Sequence, residues 1–234
     1  MLSQLSVSVS WRPSYSMIQL IGPGGAGKST VGALLAARLA CPLLDLDRKF
    51  ERRLGNIDDF ISTHGYSAYA RANFETYRDL MRDRPDGVLA FSSGFMVYPA
   101  SIHPAYPTVR AAIASDHTTL VLLPSLDRGA CVAETVQRQL ARPTSRRDAA
   151  RERAVVEERF GQYAGLPARK VETMCPPAEV VAAILEILKA TASESTRTHH
   201  QACAPRYSGT SDGKDQDQTH GRERRCVPRV QSQS

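Results

Sequence analysis

The chain has 234 residues, 42% of them hydrophobic and 6% aromatic, and a formal net charge of +6. That composition suits a soluble core of aliphatic type, and no apolar run approaches the roughly 18–20 residues a membrane-crossing helix needs. Cys41, Cys131, Cys175, Cys203 and Cys226 are scattered, with no C-x-x-C pair and no Cys/His cluster, which favours reduced thiols over a disulfide frame or a zinc site.

Residues 1–16 are polar and Ser-rich, with no basic segment leading into an apolar stretch. They read as a disordered leader rather than a secretory signal, and Met17, directly before the first apolar run, is the expected start of translation. Met17–Ile21 predicts a buried strand entering a Gly-rich turn. Val31, Leu34, Leu35 and Leu39 recur at helical spacing, so a helix begins near Gly27 and packs one face inward. A second strand is expected over Pro42–Leu46, followed by helices over Arg48–Arg53, Ile57–Thr63 and Ser67–Arg82. Gly87–Phe91 and Thr118–Leu123 read as strands, and Ala130–Leu140 and Arg147–Phe160 as helices parted by Arg142-Pro143. A last edge strand near Lys170–Thr173 precedes a helix over Pro177–Lys189, whose proline suits a first turn. Residues 191–234 lack apolar periodicity and read as a disordered polar tail. Strands alternating with helices predict one α/β domain over 17–190, a five-stranded parallel sheet flanked by helices on both faces.

The chemistry starts at Gly22-x-x-x-x-Gly27-Lys28-Ser29, which has the P-loop spacing with a strand before it and a helix after it. Glycines let backbone N–H groups turn inward around a phosphate, and the helix N-terminus adds partial positive charge. Gly22, Gly24, Gly25, Ala26, Gly27, Lys28, Ser29 and Thr30 are therefore the expected ATP-binding residues, with Lys28 on the β- and γ-phosphates and Ser29 on Mg²⁺. Asp45 and Asp47 stand two apart at the end of the second strand, so alternation puts both on one side, at the edge where open α/β sheets bind ligands. One carboxylate suits Mg²⁺ waters and the other the proton of an attacking hydroxyl; an Asp capping the next helix is the competing reading. Seven arginines fall between residues 138 and 159 with little aromatic interleaving, which suits an anionic nucleotide better than nucleic acid. Arg146, Arg147, Arg151 and Arg153 read as a solvated helix face.

Beyond the P-loop, LLDLD, RRLGNIDDFISTHGYSAYAR, GVLAFSSG, RQLARP and ERFGQY follow in an order and at spacings that resemble the shikimate kinases, over roughly Met17 to Leu188. The resemblance implies a P-loop kinase fold and an ATP- and Mg²⁺-dependent transfer of a phosphoryl group to a small anionic acceptor, shikimate by default. It implies that Asp45 supports Mg²⁺, that Asp47 holds the acceptor hydroxyl as base, that Arg142 closes over the phosphates from a lid spanning 138–159, and that Arg159 helps bind the acceptor. Every departure lies on the acceptor side. Where the family has a carboxylate-clamping arginine this chain has Ala70, with Arg71 one residue on. A one-residue shift turns a helical side chain by about 100°. Ser92-Ser93-Gly94 stands where the family has three glycines, placing Ser93 and Gly94 with Arg71 among the expected acceptor contacts and adding hydroxymethyl groups. The Arg-x-Pro-Leu-Tyr motif lacks its proline and leucine. Phe95–Pro107, with prolines 99, 104 and 107, reads as an insertion-like loop. A cytoplasmic monomer is expected, with no nucleic acid or membrane partner. The altered acceptor side keeps two alternatives open, a non-catalytic ligand-binding module and a nucleoside-monophosphate kinase.

Overall fold

A computed structural model of the chain describes residues 17–83, 85–141, 148–201 and 230–231. Strand β1 (Met17–Ile21) is wholly buried. Its side chains alternate as a two-sided strand requires: Met17 and Ile21 enter one apolar cluster, Ile18 and Leu20 the other. Strand β4 (Thr119–Leu123) divides the same way, Leu120 and Leu122 against Val121 and Leu123. Strands β2 (Leu43–Asp45) and β3 (Gly87–Ala90) lie on one side of β1, and β4 and β5 (Arg169–Glu172) on the other, in the order β2-β3-β1-β4-β5, all parallel.

Helices α1 (Lys28–Leu39) and α8 (Pro177–Gln201) cover one face, through Val31, Leu35, Val180 and Ile184. Helices α2 (Leu46–Leu54), α3 (Ile57–His64) and α4 (Tyr66–Arg82) build on the other around Phe50, Tyr69 and Phe74. Helices α6 (Arg128–Leu140) and α7 (Ala149–Ala164) pack together, with Val132, Val136 and Val156 between them.

Three features differ from the sequence reading. The segment after β3 is not a plain loop. Two short 3₁₀ turns, Phe95–Val97 and Ala100–Ile102, lead into α5 (Tyr106–Ser115), whose Pro107 fits the first turn. Tyr106 anchors them: its hydroxyl donates to the Phe95 carbonyl at 2.6 Å and accepts from the Tyr98 N–H at 3.2 Å. Second, the helix that opens at Pro177 runs on to Gln201, so the residues after 190 do not begin as unstructured chain. Third, Val230–Gln231 forms a short strand, β6, antiparallel to β5, so β5 is not the sheet edge. Cys41 and Cys131 are free thiols, and no helix among the described residues is long and apolar enough to cross a membrane.

Gly87 shows how tightly β2 and β3 are joined. Its φ is +133°, and a Cβ there would lie 2.4 Å from the Pro42 carbonyl oxygen. Both strain and collision oppose a side chain at this position, so Gly87→Ala is expected to destabilise the fold by about 2 kcal/mol or more. Urea denaturation checks this; an unchanged midpoint would show that the junction yields freely.

Candidate active site

The loop between β1 and α1 closes against the sheet so tightly that its first glycine has no room for a side chain. At Gly22 a Cβ would meet the Leu122 carbonyl oxygen at 2.3 Å. Gly22, Gly25 and Gly27 all have positive φ, a conformation that costs glycine little. Gly27, in the left-handed region, is the N-cap of α1 and supplies no side-chain acceptor. The first N–H groups of this helix are thus presented to whatever occupies the loop, together with the positive end of the helix dipole. Lys28 is buried, and its Nζ donates to the Gly22 and Pro23 carbonyls at 2.8 Å each. The lysine arches back over the loop, its ammonium held where phosphate oxygens would replace the carbonyls.

The loop is tied to β5 and α6. Thr173 Oγ1 donates to the Ala26 carbonyl at 3.0 Å. Arg138 donates to the Gly25 carbonyl at 3.3 Å and the Thr173 carbonyl at 2.8 Å, while Glu134 accepts from its Nε at 2.7 Å. Arg138 lines a cleft on this side of the loop with Gly27, Thr30, Thr173, Cys175 and Pro177.

On the other side, Ser29 Oγ donates to Asp45 Oδ2 at 2.8 Å. Asp45 does two jobs, because its second oxygen accepts from the Arg48 N–H at 3.2 Å and caps α2. The expected strand alternation of Asp45 and Asp47 is not what places them. The strand ends at Asp45, and Asp47 lies in the first turn of α2. Asp47 nonetheless reaches the cleft, of about 300 Å³, that Gly24, Lys28, Ser29, Thr30 and Ser93 also line. A hydroxyl-and-carboxylate pair at Ser29 and Asp45 is a hard oxygen donor set of the kind Mg²⁺ takes when phosphates and water complete its shell.

The acceptor side differs from expectation in several places. Arg71 faces away: it is exposed on the outer side of α4, in a groove with Arg53, His64 and Glu75, while its neighbour Ala70 is fully buried. A turn of 100° separates them, and it carries the guanidinium out of the site. Only one of the two serines lines the cleft. Ser92 is fully buried and accepts from Asn73 Nδ2 at 2.9 Å, whereas Ser93 lines the cleft and its carbonyl accepts from Tyr163 at 2.9 Å. Gly94 sits beneath Tyr66, whose hydroxyl would be 2.4 Å from a Cβ there. Arg159 Nη2 donates to that hydroxyl at 3.2 Å, so Arg159 and Gly94 meet through Tyr66. Arg142 lies outside the described residues.

Three tyrosines that the motif reading did not single out cluster here, and one of them, Tyr69, lines the cleft. Tyr66, Tyr69 and Tyr98 contact one another edge-on or tilted, with centroids 5.8–6.3 Å apart. Burial, and then the negative charge of Asp47, push the Tyr69 phenol well above its ordinary range. Burial raises Tyr66 and Tyr98 as well. All three remain neutral hydroxyl donors at physiological pH. Tyr69 could have been noticed in the sequence, because it stands at the phenylalanine of the resembled Gly-x-x-x-Phe-Arg segment.

The comparisons with known proteins agree with this geometry. Residues 24–189 match the family described as shikimate kinase. A shikimate kinase of Mycobacterium tuberculosis is 34% identical over 157 residues, which cover 66% of this chain and 82% of that protein. One from Mycobacterium avium is 34% identical over 176 residues, covering 74% and 93%. Among solved structures, the shikimate kinase of Acinetobacter baumannii in complex with shikimate shares the fold, with a TM-score of 0.60 and 22% identity over 78% of this chain and 96% of that one. With a phosphate loop, a carboxylate cleft and relatives that align over most of their length, this chain belongs to the shikimate kinase family, the small-molecule kinases.

Proposed function

We propose that the protein transfers the terminal phosphoryl group of ATP to a hydroxyl of shikimate. The observation that carries this reading is one cleft lined by Lys28, Ser29, Asp47 and Ser93, which sets phosphate-binding groups beside a carboxylate suited to a hydroxyl nucleophile. The phosphates lie on the loop N–H groups, and Lys28 exchanges two carbonyl partners for phosphate oxygens. Ser29 and Asp45 would hold Mg²⁺, which supplies charge neutralisation at the phosphates. Asp47 accepts the proton of the attacking hydroxyl. The base of the nucleotide lies in the cleft that Arg138 and Pro177 line, on the far side of the loop.

The acceptor's carboxylate is met by Arg159, with the neutral Tyr66 hydroxyl beside it. Arg71 takes no part, and Arg142 closes over the phosphates as the family resemblance implies. A nucleotide-binding module without catalysis would not need Asp47 in the cleft that Lys28 lines.

Three variants test the assignment in an ADP-release assay run with and without shikimate. Wild-type ADP formation is expected to depend on shikimate, and Asp47→Asn to lower kcat by about 10²–10⁴. Shikimate-independent ADP release, or no turnover with shikimate, would remove the acceptor assignment. Arg159→Ala is expected to raise KM for shikimate by about tenfold or more, the loss of a hydrogen bond to a charged group. Arg71→Ala, on the outer face, is expected to leave KM within about twofold. The reverse ranking of the two arginines would show that the pocket lies on the other side of α4.

A further inference from the structure

Gln139 has no role in the scheme above, yet it lies beside the phosphate loop. It sits at the end of α6, only 4% exposed, on the stripe that also turns Cys131 and Thr135 inward. A side-chain amide so enclosed normally has its polar atoms engaged. Here Oε1 is shut off from solvent and has no hydrogen-bond partner among the described residues. The Nε2 end lies on the loop itself, where a Cβ at Gly24 would be 1.9 Å away. Gly24 is not among the glycines with positive φ. A side chain at Gly24 would displace the Gln139 amide from the loop.

Consecutive residues of α6 look to opposite sides of the loop. Arg138 lines the cleft with Thr173 and Pro177, and Gln139 lines the cleft with Lys28 and Asp47. Gly24 and Gln139 border only the second of these. On the nucleotide reading above, on which this inference rests, the phosphate on that side is the last one, the group being transferred.

We propose that Gln139 is a phosphate ligand, its Nε2–H donating to the terminal phosphoryl group of the nucleotide in the P-loop. A neutral amide suits the position. It tolerates enclosure when no nucleotide is bound better than an ammonium would, and it gains a charge-assisted bond when phosphate arrives. The amide therefore favours a nucleoside triphosphate over a diphosphate, and it stabilises the charge that the phosphoryl oxygens carry through transfer.

Calorimetric titration of wild type, Gln139→Leu and Gln139→Asn with ADP and with a non-hydrolysable ATP analogue tests this. For Gln139→Leu, affinity for the analogue is expected to fall about tenfold or more, with ADP unchanged within about twofold. Turnover should fall by at least a similar factor, with KM for shikimate held. Gln139→Asn keeps the amide one methylene short and is expected to show a smaller loss confined to the analogue, so the test survives if the leucine variant misfolds. Equal weakening of both nucleotides would reduce Gln139 to a prop for Gly24 and overturn the proposal, as would no change with either. Wild-type protein that binds neither nucleotide would instead remove the kinase reading itself.

Discussion

Helix α1 starts on a left-handed glycine that offers no side chain to its first N–H groups. Ordinary helices resolve that shortage locally, as α2, α3, α6 and α7 do with Asp45, Asn56, Asp127 and Asp148. At α1 the donors are kept for a ligand, and the surroundings are arranged to hold them in position without one. Gly22 is pressed against β4, Thr173 and Arg138 hold the loop from β5 and α6, and Lys28 occupies two of the loop's own carbonyls. Each tie comes from a different element, so the geometry of the phosphate site is set by the whole sheet and not by the loop alone.

That dependence explains what could be read from the sequence. The strands β1, β3 and β4 are short apolar runs between turn residues, and their boundaries fall within a residue or so of expectation, because burial on both faces leaves nothing else for such runs to do. The phosphate loop is equally legible, since glycines and a lysine at fixed offsets have one use. Helix α5 was hidden because three prolines in its approach look like breakers; Pro107 in fact occupies a first turn, where its missing N–H costs nothing, and the tyrosine that organises the segment bonds to backbone atoms eight and eleven residues away. No local pattern reports such a contact.

The acceptor wall was less legible for a different reason. Its members are fixed by rotation about helices and by partners distant in sequence. Ala70 and Arg71 differ by one residue and lie on different faces of α4, one buried and one exposed. Ser92 and Ser93 are adjacent too, yet one is committed to Asn73 and the other faces the cleft. The buried Asn73 explains how a serine replaces a glycine at the end of β3 without intruding on the site. Asn73 turns the hydroxyl inward, and Tyr98 in turn donates to Asn73 Oδ1 at 3.3 Å. The substitution and its partner form one buried polar unit behind the cleft, and satisfied networks of this kind keep a single arrangement.

Charge is distributed unevenly across the two halves of the site as a result. On the nucleotide side Lys28 and Arg138 sit against backbone carbonyls with short, well-defined bonds. On the side proposed for the acceptor, Arg159 donates to a phenol and has no carboxylate partner among the described residues, and the exposed Glu51 and Asp58 line the cleft with Asp47. An arginine resting on a neutral hydroxyl keeps its full charge for an incoming anion and loses only a weak bond when the anion arrives. The surrounding carboxylates work the other way, lowering the attraction for a small anion and favouring a ligand that also brings hydroxyl donors to meet them. An acceptor that carries a carboxylate at one end and several hydroxyls along its ring satisfies both demands at once. On the proposed function it is this combination, and not the number of cations, that would fit the pocket to a polyhydroxylated acid.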